Sequence, residues 1–129
     1  MHSHIAEAWT HALTSGEYEQ CQDRLRRDDS FCCLGVLCDL YMQKHPFEAR
    51  WHERGGEGWF FQHQASMACE EQLLPKIVMD WAGLKDPQGG VHYDIGTDDR
   101  ASFTLAQLND EGAPFQAIAS VIKSMAEAL

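Results

Sequence analysis

The chain has 129 residues, and its 10 lysines and arginines against 20 aspartates and glutamates give a formal net charge of −10 at pH 7. This charge argues against a nucleic acid polymer or an anionic membrane as a partner, because both require a positive protein surface. A small anionic ligand in a local basic pocket is still compatible with it. The length predicts one domain over residues 1–129.

Apolar runs and cysteines indicate the compartment. No run reaches the roughly 18 apolar residues of a membrane span, and residues 1–4 (Met-His-Ser-His) lack the apolar region of a signal peptide. Three of the five cysteines fall in one apolar segment, where they are expected to pack as small apolar side chains. We therefore expect a reduced, cytoplasmic protein.

Periodicity locates the first helix. Apolar residues at i, i+4, i+7 and i+8 predict an amphipathic helix over residues 5–13, and Ser15 and Gly16 are expected to end it. Residues 17–27 are rich in charges and predict either an irregular segment or a short helical turn.

The segment Phe31–Met42 predicts the central helix of the fold, at about residues 31–43. Only Asp39 is charged in it, and a helix that is apolar on nearly every side must be surrounded by protein. Gly35 lies in its middle, which costs roughly 1 kcal/mol relative to Ala. We expect the close approach of another backbone to compensate for this cost.

The flanking residues are expected to bound this helix. Asp28, Asp29 and Ser30 offer N-cap oxygens before it, and the Lys-His-Pro sequence at 44–46 is expected to end it. The polar, Gly-rich residues 46–58 then predict a loop.

Two segments predict a β element. Trp59–Phe61 is typical of a short strand or an aromatic clamp. Val91–Ile95 alternates as a strand does, with Val91, Tyr93 and Ile95 on one face. Together the two segments predict a small antiparallel hairpin.

Helical patterns occur on both sides of the second strand. Residues 70–84 predict a helix in their second half, with Pro75 in its first turn. Thr104 is expected to cap a helix over Leu105–Asp110, and Pro114 to start a last amphipathic helix.

These elements predict an α+β fold that is mainly α, a helical domain around the buried central helix with a small antiparallel β element. The core is expected to contain a set of large apolar and aromatic side chains: Phe31, Leu34, Leu37, Leu40, Trp81, Leu108, Ile118 and Ile122.

The cysteines of the central helix do not predict a metal centre. Cys32, Cys33 and Cys38 lack the paired spacing of a zinc site, and core packing is the favoured interpretation. A reactive thiol beside Arg26 and Arg27 is the less favoured alternative, because cations lower a thiol pKa but no histidine is identifiable as a base. We predict no metal, no cofactor and no enzymatic activity.

A basic segment precedes the central helix. Arg24, Arg26 and Arg27 stand before its N-terminus, where free N–H groups and the helix dipole favour an anion. Guanidinium groups at such a place suit a phosphate. The alternative is that these arginines pair with neighbouring aspartates on the surface.

Several motifs distributed along the chain carry a family resemblance: Trp9-x-x-Ala-Leu13, Ser15-Gly-x-Tyr18-x-Gln20, Phe31-Cys-Cys-Leu-Gly-Val-Leu-Cys-Asp-Leu-Tyr41, Leu74-Pro75, Asp80-Trp-Ala-Gly-Leu84, Leu105-x-x-Leu-Asn-Asp-x-Gly112 and Phe115-x-x-Ile-Ala119. With these motifs the chain resembles, over nearly its whole length, a widespread family of small phage and prophage proteins. Many members carry a Gly-rich turn after the Tyr-x-Gln, where this chain has Cys21-Gln22-Asp23.

The resemblance implies a small, acidic accessory phage protein in the cytoplasm of the infected bacterium. Proteins of that kind often counter host defence. One strategy is a sponge, a compact and often oligomeric protein that sequesters a nucleotide immune signal such as a cyclic ADP-ribose derivative or a cyclic dinucleotide. A pocket for such a ligand needs arginines for phosphate, aromatic rings for stacking and polar groups for ribose.

Our leading hypothesis is therefore a non-enzymatic binding protein that sequesters a small nucleotide-type ligand, and a homo-oligomer is compatible with it. Nine residues are predicted to form its pocket: Tyr18, Gln20, Arg24, Arg26 and Arg27 for phosphate or ribose, Trp51 and Trp59 for stacking, and Asn109 and Asp110 for polar specificity. The last two are equally typical of a helix-terminating turn. The second hypothesis is an acidic inhibitor or adaptor of a host protein, and the third is an enzyme that degrades the same signals.

Overall fold

The computed structural model describes residues 1–64, 69–94 and 100–129, which contain five α-helices, a 3₁₀ helix at Gly55–Glu57 and eight strands. Of residues 57, 69, 91–94 and 100–102 it describes the backbone alone. The fold is α+β and mainly α, as predicted. The helices are α1 (Ser3–Thr14), α2 (Cys33–Lys44), α3 (Lys76–Ala82), α4 (Leu105–Asp110) and α5 (Phe115–Met125).

The strands form three small sheets. They are β1 (Glu19–Gln20), β2 (Arg26–Arg27), β3 (Ser30–Phe31), β4 (Ala49–Glu53), β5 (Trp59–His63), β6 (Cys69–Glu70), β7 (Gly90–Asp94) and β8 (Arg100–Thr104). In the first sheet β3 lies between β1 and β2, parallel to β1 and antiparallel to β2. The second sheet has the antiparallel order β4-β5-β6, and the third is the antiparallel pair β7-β8.

The central helix α2 is the buried helix that its composition predicts. Eight of its residues are buried, and α1, α3, α4, β3 and β4 pack around it. A Cβ atom on Gly35 would overlap the carbonyl oxygen of Leu25 and would lie 2.7 Å from the Leu25 carbonyl carbon. The predicted close approach of another backbone is thus confirmed.

The predicted N-cap of α2 is wrong. Cys32 is the N-cap residue, and its Sγ accepts a hydrogen bond from the backbone N–H of Gly35 at 3.3 Å. Asp28 and Asp29 form the turn between β2 and β3, with φ of 51° at Asp28, and Ser30 belongs to β3. The two-residue strands carry no periodic signal, so the sequence does not reveal this hairpin.

The predicted pairing of Trp59–Phe61 with Val91–Ile95 is also wrong. Trp59–Phe61 is part of β5, which pairs with β4 and β6, so residues 49–53 within the predicted 46–58 loop form a strand. Val91–Asp94 lies in β7 and pairs with β8. Ile95 and the side chains of 91–94, which carry the predicted common face, lie outside the described residues.

The helix boundaries near the C-terminus agree with prediction. The Oγ1 of Thr104 accepts a hydrogen bond from the Gln107 N–H at 3.0 Å, which caps α4 over the predicted range. Pro75 and Pro114 are the N-cap residues of α3 and α5, and Gly83 ends α3 with φ of 75°.

The core contains the residues that the periodicity selects. Phe31, Leu34, Leu37, Ile118 and Ile122 are buried. The other three predicted core residues are partly buried and pack against the same cluster: Leu40, Trp81 and Leu108. Among the described residues, no helix is long and apolar enough to cross a bilayer.

The loop between β1 and β2 contains a residue with glycine-like geometry. Asp23 has φ of 70°, a left-handed conformation in which Gly is favoured and Asp or Asn is tolerated. Its backbone N–H donates to the Oδ1 of Asp110 at 2.8 Å. This hydrogen bond joins the left-handed turn at Asp23 to α4.

Candidate functional site

A concavity in the described part of the chain lies beside the N-terminus of α2, and we call it the α2 cleft. Its volume is about 760 Å³, within the roughly 300–1,000 Å³ that is typical of small-molecule sites. Five segments meet there: the β1–β2 loop, the start of α2, the loop before α3, the loop after α3, and α4. The lining residues are Asp23, Arg24, Cys32, Leu34, Gln72, Leu73, Gln88, Thr104, Ala106, Gln107, Asp110 and Glu111.

The floor of the cleft is the first turn of α2. Two N–H groups of this turn already have acceptors, because Cys33 donates to the Oδ1 of Asn109 at 3.1 Å and Gly35 donates to the Sγ of Cys32. Side chains of the protein therefore occupy donors that an anion at a helix N-terminus would otherwise use.

Arg24 is the only cation among the described residues that line the cleft. Its Nε is buried and has no hydrogen-bond partner within the described part of the protein. Its Nη1 lies 2.6 Å from the position that a Cβ on Gly58 would take, so the guanidinium rests against a residue that has no side chain. An unpaired guanidinium donor at a cleft is a candidate anchor for an anionic group.

The remaining rim of the cleft is acidic and amide-rich. Asp23, Asp110 and Glu111 are exposed carboxylates, and Glu111 Oε1 accepts a hydrogen bond from the Gln107 amide at 3.1 Å. Two further glutamines, at positions 72 and 88, are exposed. The rim thus offers carboxylate acceptors and amide groups that can both donate and accept.

A second group of predicted residues surrounds the carboxylate of Asp39 rather than the cleft. The hydroxyl of Tyr18 donates to its Oδ2 at 2.6 Å, the Gln43 amide donates to the same oxygen at 3.1 Å, and the indole N–H of Trp51 donates to its Oδ1 at 3.0 Å. Burial and the nearby Asp39 carboxylate raise the pKa of Tyr18 far above its ordinary value. The hydrogen bonds that Tyr18 and Trp51 donate to Asp39 thus connect the N-terminal segment and β4 to α2.

Arg26 lies in an aromatic box. Its guanidinium carbon is 3.9 Å from the ring centroid of Trp59, 5.2 Å from that of Phe31 and 5.7 Å from that of Trp51. Its Nε donates to the carbonyl of Asp28, which holds the β2–β3 hairpin. The stacking face of Trp59 is therefore occupied by Arg26 in the described structure.

Arg26 and its neighbour differ in their surroundings. The Nη2 of Arg26 lies 3.8 Å from the Oδ1 of Asp29, so this arginine pairs with a neighbouring aspartate, although its own side chain is mostly buried and not on the surface. Arg27 is exposed, and it does not line the cleft.

Gln20 and Asn109 form a buried amide junction. The Oδ1 of Asn109 accepts from the Gln20 amide at 2.9 Å and from the Cys33 N–H, and its Nδ2 donates to the carbonyl of Cys21 at 2.8 Å. The Gln20 amide also donates to the carbonyl of Ala113 at 2.8 Å. Asn109 is fully buried. Its hydrogen bonds with Gln20 and Cys33 connect β1, α2 and α4.

The thiols at the start of α2 and within it have the properties of core cysteines. Burial raises the pKa of Cys32 to about 12 and raises those of Cys33 and Cys38 well above their ordinary values. The predicted alternative of a thiol activated by Arg26 and Arg27 would require the opposite shift.

The nine predicted site residues are therefore distributed over separate places. Arg24 and Asp110 line the α2 cleft, while the others lie at the Asp39 carboxylate, in the aromatic box, at the amide junction or on the surface. Sequence reasoning missed most of the cleft, because its glutamines come from unrelated segments. It also missed Asp39, although a single charge in an otherwise apolar helix is a signal that polar partners surround it.

Comparisons with known proteins assign the chain to a family. Within the described residues, no group of three or more His, Cys, Asp or Glu side chains is arranged to hold a metal ion. No curated protein matches the chain. No solved structure matches it either. The family model described as a domain of unknown function, DUF8296, matches residues 1–126, and the chain thus belongs to the DUF8296 family.

Proposed function

We propose that this protein binds and sequesters a small nucleotide-type ligand in the α2 cleft, and that it does so as a phage accessory protein that counters host defence in the bacterial cytoplasm. The observation that carries the binding proposal is a cleft of about 760 Å³ in which Arg24 is the only cation among the described lining residues. The phage context is supported by the sequence motifs alone.

The contents of the cleft suit a ligand that has both an anionic group and many neutral polar atoms. Arg24 offers guanidinium donors to the anion, and Gln72 and Gln88 offer amides to a base edge or a sugar. Cys32 and Leu34 form a buried floor of low polarity. Eight of the twelve lining residues are polar or charged, so the cleft suits a ligand with many hydrogen-bonding atoms.

The proposal is sequestration without chemical conversion. The nucleophile at the cleft, Cys32, has its pKa raised to about 12 by burial, so at neutral pH it is a thiol and not a thiolate. Its Sγ already accepts the hydrogen bond from Gly35. Detectable turnover of a nucleotide that a single side-chain change abolishes would contradict this part of the proposal.

Thermal unfolding against a panel of nucleotides tests the binding. The panel contains cyclic ADP-ribose isomers, ADP-ribose, cyclic dinucleotides and mononucleotides. A ligand at about 100 times its Kd adds roughly 2.7 kcal/mol of stability, which raises the Tm by on the order of 10 °C for a domain of this size. The bound compound is then released by denaturation, and its recovery intact distinguishes sequestration from turnover.

Two arginine variants locate the ligand. Arg24→Gln should remove most of the shift, because it removes the only cation lining the described cleft, and should leave the Tm without ligand nearly unchanged, because the lost donor has no partner. Arg27→Gln is the matched control, since Arg27 is exposed and lies outside the cleft. A full shift in Arg24→Gln, or no shift with any member of the panel, would refute binding in the cleft.

A second candidate function, inhibition of a basic host protein, is favoured by the net charge of −10. Phe47 is 90% exposed beside the exposed Glu48, and buried aromatic side chains anchor many protein interfaces. This function predicts that a host protein is retained at low salt and released at high salt. Phe47→Ala should then weaken the retention.

A further inference from the structure

Resting on the proposed function, we infer that the ligand of the α2 cleft carries a ribose-type cis-diol and at most one phosphate group, which excludes pyrophosphates and cyclic dinucleotides. The inference comes from the charges at the cleft. One guanidinium, that of Arg24, lines the cleft together with three carboxylates, those of Asp23, Asp110 and Glu111. A second phosphate would meet more negative than positive charge.

The first turn of α2 does not offer the hydrogen-bond donors that a second phosphate group would need. A helix N-terminus normally offers several free N–H groups to an anion. Here the N–H of Cys33 is bonded to Asn109 and that of Gly35 to Cys32. Arg24 is therefore left as the principal anchor for phosphate, and a single guanidinium suits a single phosphate group.

The carboxylates of the rim suit a diol. A ribose diol donates hydrogen bonds from two adjacent hydroxyl groups, and an Asp or Glu carboxylate accepts such bonds in dinucleotide-binding proteins. Asp110 is the acceptor that we assign to the diol, and its Oδ1 is held by the N–H of Asp23 at 2.8 Å. Its Oδ2 is left to accept from the ligand.

The strained backbone of Asp23 is consistent with this role. A residue with φ of 70° is retained where the surrounding structure requires that conformation. At Asp23 the conformation directs the N–H toward Asp110. The β1–β2 loop thus orients the carboxylate that would bind the diol.

The test is a set of matched ligands measured by calorimetric titration at about 0.1 M salt. The set contains the four ribonucleosides with their 5′-mono-, di- and triphosphates, and the 2′-deoxy form of each. We expect the diphosphate to bind about tenfold more weakly than the monophosphate, and this difference to shrink at about 1 M salt because the repulsion is screened. We expect loss of the 2′-hydroxyl to weaken binding by about tenfold, the value of a hydrogen bond to a charged group.

Two variants assign the effects to residues. Neutralising the rim in the double variant Asp23→Asn, Glu111→Gln should improve diphosphate binding by about fivefold relative to monophosphate; Asn tolerates the φ of position 23, and Gln keeps an acceptor for Gln107. In Asp110→Ala the ratio of ribose to deoxyribose affinity should fall to about one. Because each result is a ratio within one variant, a change in stability does not produce it.

The outcomes separate this inference from the proposed function. If affinity rises with each added phosphate, or if cyclic dinucleotides bind more tightly than monophosphates, the inference is overturned and nucleotide sequestration stands. If no member of the set or of the wider panel binds, both are overturned.

Discussion

The close approach of Leu25 to α2 makes Gly35→Ala the most informative change to the fold. In an ordinary helix this substitution would stabilise the protein by roughly 1 kcal/mol, because Ala has the higher helix propensity. Here the new methyl would overlap the Leu25 carbonyl oxygen and lie 3.2 Å from the Leu25 Cα. The same carbonyl accepts the N–H of Cys32 at 3.1 Å, so moving it also weakens a backbone hydrogen bond.

The contributions can be compared in magnitude. Overpacking against the backbone costs about 1–3 kcal/mol, and loss of the Cys32 hydrogen bond costs about 1 kcal/mol. Subtracting the gain in propensity leaves a net loss of about 1–3 kcal/mol, which lowers the Tm by roughly 3–12 °C for this chain length. The sign is therefore opposite to that expected from helix propensity.

Urea unfolding followed by circular dichroism measures the change. Gly56→Ala is the matched control, because no atom lies within 4 Å of the Cβ that it would add and its φ is not positive; we expect a change within about 0.5 kcal/mol. A Gly35→Ala protein that is as stable as the parent, or more stable, would refute the claim that the Leu25 backbone requires glycine at this position.

Two further predictions concern buried polar groups. Asn109→Leu should cost about 3 kcal/mol or more in urea unfolding, because the N–H of Cys33 and the amide of Gln20 lose their shared acceptor in a buried place; an unchanged midpoint would show that water replaces the amide. Stability should also fall as the pH rises above about 9, measured by urea unfolding between pH 8 and the onset of alkaline denaturation. Burial raises the pKa of Cys32 from 9.0 to about 12 in the folded protein, so the unfolded chain loses its thiol proton first and alkaline pH favours the unfolded state. Cys32→Ser should reduce the slope, and an identical slope would contradict this assignment.

The helices were predictable because their signals are local. The 3.6-residue period of α1 and α5 and the capping residue Thr104 act within a few positions of the chain. Gly35 correctly predicted the close approach of another backbone, because a glycine inside a helix lowers helix propensity and is expected there where packing leaves no room for a side chain. The short strands were not predictable, because their pairing depends on partners far along the chain.

The candidate site was predictable only in part. Arg24 was identified because it stands before the central helix in an otherwise acidic chain. Arg26 stands at a similar place in the sequence, but its guanidinium stacks on Trp59 and does not line the cleft. A guanidinium can be stabilised either by an anionic group at a cleft or by the face of an aromatic ring. Which of the two it contacts depends on the tertiary structure. Their ligand-binding roles stay predictions.

The junction at Asn109 has a consequence for the order of folding. It closes contacts across 76, 88 and 89 residues of chain, to Cys33, Cys21 and Gln20. At a synthesis rate of about 5–20 residues per second, Asn109 is synthesised roughly 4–15 s after the first turn of α2. Contacts of such long range also slow folding of the completed chain. We therefore expect the N-terminal half to gain protection from proteases only after α4 has been synthesised, so that the buried cysteine-rich helix is the part of the nascent protein most dependent on prompt completion.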